Sequence, residues 1–188
     1  STDEGTVVLR ADPRHGQRRG EVFVPMHWTD LFASAGPVGR AVAARLDPVS
    51  GQPELKATPA SLAPVAVHFH GLLLRRHGSA LPDICHWVRV PVDTGQLYRL
   101  AGLRALPDGD DLIRFAERLL AVPAGADWLE ATDRRRGVLR VAVIQDGVLD
   151  ACLFLARDPA SLPSAAAVAP LLGTTVPDAP RVRLLAGR

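Results

Sequence analysis

The chain has 188 residues, 47% hydrophobic and 22% charged, with a formal net charge of +2. That length fits one large or two small domains, and so even a charge balance points to neither a nucleic-acid nor a membrane partner. No apolar run reaches the roughly 18 residues that a membrane-spanning helix needs, and the N-terminus lacks the basic-then-apolar pattern of a secretory signal.

Taken in chain order, "GTVVLRA" (5–11) and "GEVFVP" (20–25) each read as a short strand, joined by the turn-rich "DPRHGQRRG". Residues 31–65 are interrupted by Pro37, Pro48, Pro53, Pro59 and Pro64. Each proline inside a helix costs about 3 kcal/mol, so this stretch reads as an ordered loop region, with "VGRAVAARL" making a helical turn or two. From Pro64 the texture changes. "VAVHFHGLLL" reads as a strand, and "HWVRVPV" and "LYRLAG" read as a hairpin around "DTGQ". "DGDDLIRFAERLL" is the best helix, with Asp108 or Asp110 as its cap and Leu112, Phe115, Leu119 and Leu120 on one face. "GVLRVAVIQDGVLDACLFLA" reads as a hairpin, because Asp146-Gly147 suits a two-residue turn that needs positive φ at both positions. A short capped helix in "DPASLPSAAAVAPLLG" follows, and no internal repeat is visible.

The expected organisation is therefore residues 1–64, too small and loop-rich to build a core alone, then an α+β unit over 65–188 of order β-β-β-helix-β-β-helix. The absence of an initiator Met suggests a piece of a longer chain.

Several constellations could carry chemistry. His68 and His70 share one face of a strand and could grip a metal, although no third ligand with metal-site spacing accompanies them; otherwise they are half-exposed histidines on an edge strand. Cys85 and Cys152 form no CxxC pair, and Cys152 reads as a small buried hydrophobe. Two cysteines are compatible with a reducing, cytoplasmic setting. "DPVSGQPELK" (47–56) reads as a rigid loop. Asp47 and Ser50 form the turn, Pro48 and Pro53 stiffen it, and Glu54 and Lys56 project to one face. Lys56 is the chain's single lysine beside 21 arginines, so its position asks for a compact ammonium. Trp87, Tyr98 and Trp128 are either core aromatics or anchors for a docked partner.

Two stretches are specific together: "RRGEVFVPMHWTDLFASAGPVG" and "DPVSGQPELKATPASL", with 10 residues between Gly36 and Asp47. They resemble the C-terminal end of molybdopterin oxidoreductases of the DMSO-reductase type, in particular the bacterial assimilatory nitrate reductases. Residues 65–188 look like the extension that follows in those enzymes, and "VLRVAVIQDGVLDACLFLARDP" is similar to the C-terminal domain of flavin disulfide-reductase-like enzymes.

The resemblance implies that residues 1–64 are the C-terminal part of a double-psi-like β-barrel, the molybdopterin dinucleotide-binding domain. A small α+β domain then follows, giving a mixed β and α+β fold. The barrel would help hold bis-molybdopterin guanine dinucleotide and its molybdenum, in an enzyme reducing nitrate to nitrite or, as the alternative, a formate dehydrogenase. It implies cofactor contacts for Lys56, Gln52, Glu54, His27 and Trp28. Relatives often carry Asn where this chain has Gly39, which would contribute its backbone N–H. Leu31 falls where periplasmic relatives place an aromatic lining the funnel. The resemblance assigns the molybdenum ligand and the iron–sulfur cluster to parts of the protein outside this chain. It names the remainder of the catalytic subunit and an electron-donor protein or reductase subunit as partners. A fragment holding no metal ligand should be inactive alone. A stand-alone docking module for an electron-transfer partner is the reading from a different class.

Overall fold

The structure, a computed structural model, describes residues 1–54, 58–78, 81, 85–176 and 185. The chain divides into two compact units, Ser1–Val65 and Ala66–Arg188.

The second unit is a six-stranded sheet with every neighbouring pair antiparallel. Its strands are β1 (Phe69–Arg75), β2 (His86–Val90), β3 (Gln96–Gly102), β4 (Asp127–Asp133), β5 (Val138–Gln145) and β6 (Val148–Ala156), in the order β2-β3-β1-β6-β5-β4. β1 and β6 are central and apolar on both faces. Leu73, Leu153 and Leu155 point to one side, and Leu72, Leu74, Cys152 and Phe154 to the other. Helix α1 (Asp110–Leu120) covers the first side with Phe115, Ala116, Leu119 and Leu120. The short helix α2 (Ala165–Val168) and the residues after it cover the second with Val168, Leu172 and Val176. A sheet covered on both faces requires two-sided apolar strands, which is why β1 and β6 read as runs rather than alternations.

The hairpin of β5 and β6 turns on Asp146 (φ 52°) and Gly147 (φ 75°), as their sequence demands. A bulge between Val143 and Ile144 leaves Asp150 outside the ladder, where its carboxylate meets Arg76 at 3.8 Å. β4 has no counterpart among the elements expected from sequence. It is an edge strand, half-buried only at Trp128 and Leu129. The expected Asp caps of α1 are also absent. Gly109 occupies the N-cap with φ 56° and no side-chain bond, while Asp110 and Asp111 lie inside the first turn. There they still complement the helix dipole, and Asp111 pairs with Arg114 at 2.7 Å.

Arg75 closes one end of this core at 1% exposure. Its Nε donates to Gln96 Oε1 at 3.1 Å, and its Nη1 to the Leu119 carbonyl, in the last turn of α1, at 3.4 Å. Its guanidinium lies 5.4 Å from the Tyr98 ring centroid. A Cβ on Gly78 would come within 2.6 Å of that guanidinium, so only glycine allows this close approach.

The first unit is built differently. Its described residues form one 3₁₀ turn (Val38–Ala41) and isolated bridges, and only Ala33 and Ala41 are buried hydrophobics. Val22, Phe23, Met26 and Leu31 are more than half exposed, Phe23 at 78%. The strands expected at 5–11 and 20–25 belong to no ladder among the described residues. Val8 N–H donates to the Ala35 carbonyl at 2.9 Å. A ladder needs a partner strand, and an alternating sequence supplies only one side of it. The helix expected over "VGRAVAARL" shrinks to that single 3₁₀ turn.

Candidate cofactor-binding site

The expected site residues all fall in the first unit, on three local structures. Gly20, at φ 80°, precedes the segment that leads to Pro25. His27 is exposed in the turn beyond it, and Trp28 is half-buried. Thr29 then organises a helix-like turn: its Oγ1 accepts from Leu31 N–H at 3.3 Å, and its carbonyl accepts from Phe32 and Ala33 N–H at 3.0 and 3.1 Å. Thr29 escaped the sequence reading, although a Thr ahead of a turn is a recognisable local signal. Leu31 is exposed on this turn at 69%.

Gly39 is exposed within the 3₁₀ turn, and a Cβ built there would meet nothing within 4 Å. Open space rather than crowding surrounds it, so sterics do not demand glycine.

The third structure is the loop of residues 45–54. Asp47 holds it from inside. Its Oδ1 accepts from Val49 N–H at 2.9 Å, Ser50 N–H at 2.7 Å and the Ser50 hydroxyl at 3.0 Å. Its backbone N–H donates to the Gln52 carbonyl at 2.9 Å, and Gly51 N–H returns to the Asp47 carbonyl at 2.9 Å. Glu54 N–H donates to the Arg45 carbonyl at 2.8 Å, and Leu46 bridges to Pro53. The bonds from Ser50, backbone first and then hydroxyl, hold the Asp47 carboxyl below its ordinary pKa, with Val49 N–H adding to the effect. The carboxylate is thus an ionised acceptor whose work is to keep the loop shut, leaving Gln52 and Glu54 exposed at its C-terminal side. The turn expected from Asp47 and Ser50 is present, held by the Asp47 carboxylate. Lys56 lies outside the described residues. The structure therefore brings Gln52 and Glu54 together on one loop, and sets His27, Trp28 and Gly39 on neighbouring stretches of sequence.

The histidine pair reads differently once folded. β1 is central rather than an edge. His68 is exposed and His70 half-buried. Among the described residues, no group of three or more His, Cys, Asp or Glu is placed to hold a metal ion. Tyr98 is a core residue at 5% exposure, edge-on to Trp87 at 5.5 Å, and Trp87 and Trp128 are half-buried against the same core. No described helix is long and apolar enough to cross a membrane.

Among the described residues, the first unit thus presents a loop clamped by one carboxylate, with Gln52 and Glu54 exposed on it and few buried apolar side chains. Residues 1–59 match the family model of the Molydopterin dinucleotide binding domain. The chain is 42% identical over 86 residues to a nitrate reductase of Klebsiella oxytoca, and 32% identical over 87 residues to one of Shewanella frigidimarina (strain NCIMB 400). Each match covers 46% of this chain, 10% of the first relative and 9% of the second. The resemblance to molybdopterin-dependent nitrate reductases carried by the two motifs is thereby borne out. The chain spans about a tenth of the length of these relatives. No solved structure is significantly similar to it.

Proposed function

We propose that residues 1–64 help hold bis-molybdopterin guanine dinucleotide in a molybdenum-dependent nitrate reductase of the assimilatory, cytoplasmic type. The observation that carries this reading is a coincidence: the family match of residues 1–59 contains the Asp47-clamped loop. The donor set fits the cofactor. A dinucleotide pterin offers a polar ring edge, a pyrophosphate and a guanine. The chain offers the Gln52 amide, the exposed Glu54 and His27, and open backbone at Gly39. When bound, the cofactor supplies oxygen-atom transfer chemistry, reducing nitrate to nitrite.

The chain's own part is positioning. Asp47 fixes the loop before any ligand arrives, so little ordering entropy is left to lose on binding. Gln52, with an amide that both donates and accepts, suits a pterin or guanine edge. Lys56 gives the compact ammonium that a pyrophosphate takes as a point charge. His27 and Trp28 begin the segment directed along the approach to the cofactor. The exposed Val22, Phe23, Met26 and Leu31 become a packing surface for the remainder of the catalytic subunit, in a double-psi-like barrel whose other strands lie there. The molybdenum ligand, an iron–sulfur cluster and the electron-donor contact also belong outside this chain, so the 188 residues alone have no turnover. With Tyr98 in the core, the docking-module reading loses one of its three anchors, and the relatives' names favour nitrate over formate.

Lys56→Ala in the intact enzyme tests this reading. Its molybdenum and guanine nucleotide content should fall, with nitrite formation falling in proportion. Full molybdenum occupancy with normal turnover would remove Lys56 from the site.

A further inference from the structure

We propose that the β1–β3 half of the sheet face opposite α1 is a binding site for a tetrahedral oxyanion, free phosphate or a phosphomonoester, held by Arg99, His70 and His86. The register carries this inference, and it is independent of the cofactor reading. Ala101 on β3 pairs with His70 on β1 at one side and with His86 on β2 at the other. Directly paired residues share a face, so both imidazoles rise beside one small methyl group, with two interstrand spacings of about 4.8 Å between their backbones. Arg99 precedes Ala101 by two residues on β3 and so lies on that same face, diagonal to both histidines. Ala156 is the partner of His70 on its far side, so the row holds small residues on both sides of His70.

Charge favours an anion. On this face β1, β2 and β3 contain no Asp or Glu and carry Arg99, His70 and His86, while Arg75 and Arg89 lie on the α1 side. Arg99 is exposed and, among the described residues, has no ion pair, whereas Arg140 on the neighbouring stretch of the same face is committed to the carbonyls of Leu185 and Ser161. His70 and His86 are half-buried. Burial lowers the pKa of His86, so near neutral pH its imidazole is neutral and Arg99 supplies the charge. Three donors arriving from two flanks and from the row below suit a tetrahedral anion, whose oxygens point in separate directions. At this end of the face Arg99 is exposed while His70, His86 and Ala101 are half-buried, so a small ligand would sit at the margin of the packed face.

The test is an imidazole carbon–proton NMR titration of the 188-residue chain with inorganic phosphate, at fixed pH and at constant ionic strength set by chloride. His70 and His86 should move on one shared saturating curve in the millimolar range, while exposed His15 stays still. Arg99→Ala should weaken the curve by at least about tenfold, with the melting temperature unchanged because the side chain is exposed, and Arg99→Lys should restore part of it. A parallel titration with glycerol phosphate identifies the source of the anion by which ligand saturates at lower concentration. The proposal is overturned if His70 and His86 move no more than His15, or if Arg99→Ala leaves both curves unchanged.

Discussion

Replacing Arg75 by alanine should destabilise the second unit more than any surface change. The guanidinium is 1% exposed and is shared among Gln96, the Leu119 carbonyl and the Tyr98 ring. Hydrogen bonds to a charged group contribute about 1.5–3 kcal/mol, with the 3.4 Å bond to Leu119 at the weak end. A desolvated cation over an aromatic ring adds about 1–2 kcal/mol. Against these stands the cost of desolvating the charge itself, so the pair terms do not simply sum. Truncation also leaves the Leu119 carbonyl without this donor and opens a void beneath Gly78. The expected loss is about 3–5 kcal/mol for Arg75→Ala, in line with breaking a buried charge site. Arg75→Met fills the volume without a charge, and its loss should be smaller, about 1–3 kcal/mol for the unsatisfied carbonyl. Urea unfolding followed by Trp87 and Trp128 fluorescence reads this directly. With a slope of about 2 kcal/mol/M, the alanine variant's midpoint should drop by about 1.5–2.5 M at unchanged slope. A drop below about 0.5 M, or a methionine variant as unstable as the alanine one, would refute the argument that this guanidinium ties β1 to the end of α1.

Burial pushes the Cys152 thiol up to about 12 from an ordinary 9.0. The folded protein therefore keeps its proton while the unfolded chain releases it, and stability drawn from this group is full below pH 9 and is lost as pH rises towards 12. Thiol reagents at neutral pH should label Cys152 only at the rate of unfolding, and labelling as fast as free cysteine would contradict its burial. Asp47 has the opposite sign. Its depressed pKa keeps the loop closed above the ordinary Asp range and releases it as pH falls through the lower folded value. Hydrogen exchange at the Val49 and Ser50 amides should quicken in Asp47→Ala, and unchanged exchange would deny Asp47 its role. Gly39→Asn should cost less than about 0.5 kcal/mol, because the space around that Cβ is open. In the intact enzyme it should hold the cofactor at least as well, and a loss of molybdenum would show that the position needs glycine.

What the sequence revealed depended on whether a signal was local. α1 was legible because Phe115, Leu119 and Leu120 repeat at helical spacing, and the β5–β6 turn because Asp146-Gly147 admits positive φ. β4 was not legible. "DWLEATD" places Trp128 and Leu129 on opposite faces and follows them with polar residues, so no alternation marks it. Its strand character comes from pairing with β5. Residues 20–25 show the converse, an alternating pattern with no ladder among the described residues. In the α1 cap, a glycine at φ 56° displaced both candidate aspartates, a backbone preference that composition does not reveal. In the candidate site, the turn of the 47–54 loop was readable from Asp47 and Ser50, because all its bonds are short-range. The meeting of His70, Arg99 and His86 depends on the order of three strands, which no local pattern contains.

The most direct test of the central claim is a density map of the intact, cofactor-loaded protein around residues 45–56. The Gln52 amide or the Lys56 ammonium should lie within hydrogen-bond distance of a pterin dinucleotide. A map in which that loop faces solvent, with the dinucleotide held entirely by other segments, would contradict it.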